Sequence, residues 1–189
     1  MRFYLKNRSL LQISGSDSES FLQSQLTNDI SKLGDSEIQI NAYCQHQGKI
    51  VGLFWVMRYQ NGFLISFPNE LLEKIKSRLK MFVIISDVVI KDVSNDLFQF
   101  GLINDHKIDA YILNDSLSVL ITENLNNTSE YFSDIEEWDK SYFDSLIPEV
   151  FAATSEKLVP QMLNLDIDEI GVNFSKGCYP GQEVVARLH

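Results

Sequence analysis

Three apolar runs, over residues 38–44, 49–59 and 63–67, follow one another with almost nothing between them. Gln45-His46-Gln47-Gly48 separates the first two, and Asn61-Gly62 separates the second from the third. Loops this short leave neighbouring strands no choice but to run antiparallel. Asn-Gly suits the tightest of these connections, because both central residues then take positive φ. Pro68 fits a first helical turn. Leu71, Leu72, Ile75 and Leu79 then share one face, opposite Glu70, Glu73, Lys74 and Lys80. A strand-like run over 82–92 follows. The order strand, strand, strand, helix, strand predicts an α+β unit over residues 36–94.

The flanks carry a second pattern. Ser16-Asp17-Ser18-Glu19 reads as a capping box, and Phe21, Leu22, Gln25 and Leu26 continue it at helical spacing. This predicts a helix over 17–28, entered from a short strand over 10–14 by way of Gly15. Further on, 97–103 and 117–121 read as strands and the polar stretch 123–129 as a loop. Within 130–145, Ile135, Trp138, Tyr142 and Ser145 are spaced as a helix, which Pro148 ends. The expected fold class is therefore α+β with mostly antiparallel strands. The unit over 36–94 is inserted into a second unit made of 1–35 plus 95–189, and the two pack intimately.

Composition narrows the function. The chain has 189 residues, 44 % hydrophobic and 22 % charged, enough to bury a core without staples. A net charge of −10 opposes gripping nucleic acid through its phosphates, and opposes an anionic membrane surface. Cys44 and Cys178 are the two cysteines and neither belongs to a Cys-x-x-Cys pair, so no disulfide framework or metal site is expected. A charged N-terminus and short apolar runs argue against a signal peptide and a membrane span. The expected compartment is reducing, the cytoplasm. His46, His106 and His189 read as loop or terminal residues. Asp109 and Asp134-Ile135-Glu136-Glu137 read as solvated surface.

The C-terminal run Lys176-Gly177-Cys178-Tyr179-Pro180-Gly181-Gln182-Glu183 stands apart. Tyr179-Pro180-Gly181-Gln182 has the residue choice of a type II turn, with Pro presetting φ and Gly accepting positive φ. Such a turn holds Cys178 rigidly. A helix beginning at Gln182 and the nearby Lys176 would both favour its thiolate. The other reading is an ordinary turn beside a small buried cysteine.

Lys-Gly-Cys-Tyr-Pro-Gly-Gln-Glu resembles the signature of the folate-binding YgfZ family, related to the glycine-cleavage T-protein and to mitochondrial iron–sulfur assembly factors. Further blocks resemble that family in order along the chain. They are Ile13-Ser14-Gly15-Ser16-Asp17 with Phe21-Leu22-Gln23-Ser24-Gln25-Leu26-Thr27-Asn28-Asp29, then Cys44-Gln45-His46-Gln47-Gly48-Lys49-Ile50. Trp138, Ile147-Pro148 and Pro160-Gln161-Met162-Leu163-Asn164-Leu165 follow. The resemblance implies the T-protein folate-binding fold and a tetrahydrofolate-type ligand in a central cleft. It also implies a role in maintaining iron–sulfur enzymes, one of which modifies tRNA. Cys178 is then the acting residue with Lys176 beside it. Tyr179 belongs to the ligand site, Gln182 and Glu183 hydrogen-bond the pterin edge or cap a helix, and Trp138 stacks on the ligand or packs in the core. Arg8 stands where the family has a second tryptophan and is expected to meet the folate glutamate tail.

Two departures shape the expectation. The T-protein has a catalytic acidic residue after the glycine of the first hairpin, whereas Gly48-Lys49-Ile50-Val51-Gly52-Leu53 has none. The family continues into a β-barrel after the signature, whereas this sequence stops at His189, so an open cleft and self-association are expected. The leading expectation is a tetrahydrofolate-binding accessory protein serving an iron–sulfur client, without metal ligands of its own and without direct nucleic-acid or membrane contact. A folate-dependent aminomethyl or methyl transferase, and a non-catalytic interaction module, are the alternatives.

Overall fold

The apolar run around residues 50–59 is nearly unbroken because the strand it forms is covered on both sides. In this computed structural model, which describes residues 2–84, 86–105, 107–123 and 135–189, that strand is the fourth of nine described. The elements are β1 (Arg2–Tyr4), β2 (Arg8–Ser14), α1 (Ser18–Gln25), β3 (Gln39–Cys44), β4 (Ile50–Tyr59), β5 (Gly62–Pro68) and α2 (Leu72–Lys80). They continue as β6 (Val89–Asp92), β7 (Phe98–Ile103), β8 (Ala110–Ile112), β9 (Leu117–Thr122), α3 (Ile135–Asp144) and α4 (Gln182–Arg187). His106, most of the loop expected over 123–129 and the first turn of the helix expected from 130 lie outside the described residues.

Two antiparallel sheets result. One has the order β3-β4-β5-β2-β6 and the other β1-β7-β9-β8. On β4, Val51, Phe54 and Val56 face a core shared with Phe21 and Leu22 of α1 and Ile75 and Leu79 of α2. Leu53, Trp55 and Met57 face the opposite core, shared with Phe3, Val119, Trp138 and Val185. Alternation along the strand thus feeds two cores, one beneath the helices and one against the second sheet and the C-terminal segment.

The α+β class and mostly antiparallel strands agree with expectation. The expected partition does not, because β2 lies between β5 and β6 and the five-stranded sheet draws on residues 8–92. Three local expectations also change. Ser16 caps nothing; its amide and hydroxyl both donate to Asp87 Oδ2, at 3.1 and 2.9 Å, and Asp17 holds the N-cap position with no side-chain cap. The tight turn falls on Gln60-Asn61, Tyr59 pairing with Gly62, which is itself in β5, where a Cβ would lie 2.3 Å from the Ile13 carbonyl oxygen. The expected strand over 82–92 shrinks to β6, since the amides of Met81, Phe82 and Val83 still donate to carbonyls of α2.

Candidate functional site

The sequence-nominated residues divide between two places. Arg8 and Trp138 line a cavity of about 560 Å³. None of Lys176, Cys178, Tyr179, Gln182 and Glu183 lines it.

The cavity opens between the start of β2, the end of β5, α3 and the segment after it. Trp55 reaches it from β4 because it shares the inward face of Leu53 and Met57. The Arg8 guanidinium carbon sits 3.5 Å over the Trp55 ring, and Nε donates to Ser66 Oγ at 2.9 Å. Arg8 Nη1 forms an ion pair with Glu149 Oε2. Burial pushes the Glu149 carboxyl up, and the Arg8 charge works against that rise. Arg8 is therefore already neutralised, which removes the free cation expected to meet a glutamate tail.

Trp138 is 3 % exposed. Its ring lies where a Cβ on Gly101 of β7 would be, 2.4 Å away, and it stacks on Tyr142 at 6.3 Å and 14°. Packing takes up the indole faces, so Trp138 serves as a wall of the cavity. Trp55 Nε1 is buried, and the Trp55 ring packs on that of Tyr142 with centroids 5.5 Å apart. Phe143 and Leu146 stand at the rim, 77 % and 85 % exposed.

The second place is the strap carrying Cys178. Gln182 N–H donates to the Tyr179 carbonyl at 3.2 Å and Gly181 has φ 84° and ψ 1°, the type II turn read from the residues. Gly181 is obligatory twice over, since a Cβ there would also lie 2.5 Å from the Gln45 carbonyl oxygen and 2.8 Å from Gly48. The strap is thus docked on the first hairpin, glycine against glycine. Cys178 is exposed, and Cys44 is buried, its thiol pushed up to about 12 by burial. Burial also pushes the Tyr179 phenol up, with Cys44 adding to it.

Lys176 does not lie free beside the sulfur. Its Nζ donates to the carbonyls of Gln23, Leu26 and Asn28, at 2.6, 2.5 and 3.0 Å. Burial pushes its ammonium down to about 8, with the Asp29 charge opposing. Glu183 is exposed in the first turn of α4, and Gly181, not a side chain, holds its N-cap position. Sequence reasoning missed Trp55, Tyr142 and Glu149. The first could have been found from its shared strand face, whereas Glu149 carries no local signal. Among the described residues no cluster of three or more His, Cys, Asp or Glu side chains is arranged to hold a metal, and no helix is long and apolar enough to cross a membrane.

No protein-family model matches the chain. An uncharacterised protein of Haemophilus influenzae is 28 % identical over 186 residues, 94 % of this chain and 65 % of its own length. The tRNA-modifying protein YgfZ of Enterobacter sp. is 28 % identical over 216 residues, 97 % of this chain and 66 % of its own. That of Buchnera aphidicola is 26 % identical over 212 residues, 95 % and 66 %. The chain thus spans about 65 % of these relatives' length. Aminomethyltransferase T of the glycine cleavage system from Bartonella henselae superposes with a TM-score of 0.67 at 9 % identity, over 98 % of this chain and 62 % of that one, a likeness of fold.

Proposed function

As a homologue of the YgfZ proteins on the fold of aminomethyltransferase T, this chain, we propose, binds tetrahydrofolate in the tryptophan-lined cavity. It serves iron–sulfur enzymes that modify tRNA through the exposed thiol of Cys178. One observation carries the ligand reading: both tryptophans of the chain, distant in sequence, meet in one cavity of about 560 Å³. That volume falls within the range of small-molecule sites, roughly 300–1,000 Å³. The residues fit a flat, polar-edged heterocycle. Trp55 and Tyr142 line the cavity together, their ring centroids 5.5 Å apart. The Arg8 guanidinium over Trp55 offers a surface for stacking, and Glu149 offers carboxylate oxygens to ring and amino N–H groups. A reduced folate supplies a one-carbon carrier when bound.

The net charge of −10 favours a client protein over tRNA itself as the partner. Cys178 stands outside the cavity and open to solvent, which suits a sulfur that meets a group borne by another protein. Aminomethyl transfer is the weaker reading. Lys49 occupies the position after the hairpin glycine, and its Nζ donates to the Lys157 carbonyl at 3.2 Å.

Anaerobic titration with tetrahydrofolate tests the ligand reading. Saturable quenching of tryptophan fluorescence and a rise in Tm are expected. Trp55→Phe weakens both, and Glu183→Gln leaves both unchanged. No quenching and no rise at saturation would refute the cavity assignment. For the client role, Cys178→Ser is expected to abolish complementation of a cell lacking its own YgfZ, read as iron–sulfur-dependent tRNA modification; full complementation would remove the thiol from the mechanism.

A further inference from the structure

Lys176 and Tyr179 are buried, and the two residues between them are exposed. The Lys176 ammonium has three protons, and three carbonyls receive them, those of Gln23, Leu26 and Asn28. These carbonyls lie at and just beyond the C-terminal end of α1, where the helix leaves acceptors without intrahelical donors. The same corner is tied to the strap a second time. Asn173 N–H donates to the Thr27 carbonyl at 3.0 Å, and Thr27 Oγ1 donates to the Gly171 carbonyl. On the far side of Cys178, Gly181 abuts the first hairpin.

We infer that Lys176 is a positioning residue for Cys178: its ammonium plugs into the carbonyl cup at the end of α1 and thereby fixes the strap that presents the sulfur, instead of acting on the sulfur as its chemical partner. The inference rests on the reading of Cys178 as the reactive thiol. A cup of three carbonyls around one cation selects an ammonium. A guanidinium, planar and forked, does not match it. Cys44 is buried and within electrostatic reach of Tyr179, so loosening the strap is expected to uncover its thiol.

The test uses the full chain, with a nitroxide attached to Cys178. In the wild-type protein the label reports an ordered strap and Cys44 resists alkylation. Lys176→Ala is expected to mobilise the label and to speed Cys44 alkylation about tenfold, by local opening. Propylammonium is expected to refill the cup and restore order, while sodium at equal ionic strength does nothing. That rescue separates positioning from loss of fold. An ordered label in folded Lys176→Ala, or mobility that propylammonium leaves untouched, overturns the inference. Should Lys176→Ala fail to fold, Lys176→Met keeps the aliphatic stem: a mobile label at native Tm supports the inference and an ordered one overturns it. No folate enters the experiment, so its failure leaves the cavity reading standing, and failure of folate binding leaves this one standing.

Discussion

The cavity and the strap hold buried cations by opposite means. In the cavity, Arg8 is paired with the carboxylate of Glu149, two charges removed from water together. In the strap, Lys176 donates to three backbone carbonyls, dipoles that the end of a helix supplies in any case, and lies 5.4 Å from the centre of the Tyr179 ring. The first arrangement depends on two side chains that reach one another from distant parts of the chain. The second depends on one side chain and on α1 ending where it does. The difference teaches that a sequence signature and a ligand cavity need not coincide. The signature builds a stiff, exposed presentation of sulfur, and the cavity is assembled from residues that no motif links.

Breaking the carboxylate pair tests that contrast most severely. Arg8→Ala leaves Glu149 buried without its partner, and urea unfolding is expected to show a loss of about 3–5 kcal/mol. Replacing both residues, Arg8→Met with Glu149→Leu, is expected to recover most of it; a double variant as unstable as the single would show that the pair's charges are not what matters. A smaller effect is expected in the strap. Gly181→Ala forces a side chain into positive φ against the Gln45 carbonyl and is expected to cost about 1–3 kcal/mol. Gly177→Ala, with open space around the added carbon, is expected to change stability by less than about 0.5 kcal/mol. Equal losses at the two glycines would mean that the strap is not docked on the hairpin.

A further contrast is read against pH. Buried, the Lys176 ammonium releases its proton at about 8, whereas in the unfolded chain it keeps it to its ordinary 10.5. Between these values the unfolded state binds more protons, so stability contributed at this site rises with pH across that window and is flat below it. Lys176→Met is expected to remove the slope. Parallel stability–pH curves for the two proteins between pH 8 and 10.5 would show that the carbonyl cup holds the ammonium charged throughout.

Much of this was open to reading along the chain. Short loops between apolar runs dictated an antiparallel arrangement, because there is no length for a crossover. Tyr179-Pro180-Gly181-Gln182 specified its own turn through φ preferences that belong to single residues. Local rules failed where a partner from elsewhere intervened. Ser16 gave up capping α1 because Asp87 offered its hydroxyl a carboxylate. Gly62, expected in the tight turn, serves β5 instead, where β2 passes too close for any side chain.

What the sequence determined by itself was the fold class and the Tyr179–Gln182 turn that follows Cys178, since these follow from backbone sterics and periodicity over a few residues. The tertiary structure alone decided that β2 inserts between β5 and β6, that Trp55, Trp138 and Glu149 share one hollow, that Cys178 faces solvent, and that Lys176 points into the end of α1. Those outcomes depend on contacts between residues tens of positions apart, which burial and hydrogen bonding select only once the whole chain has packed.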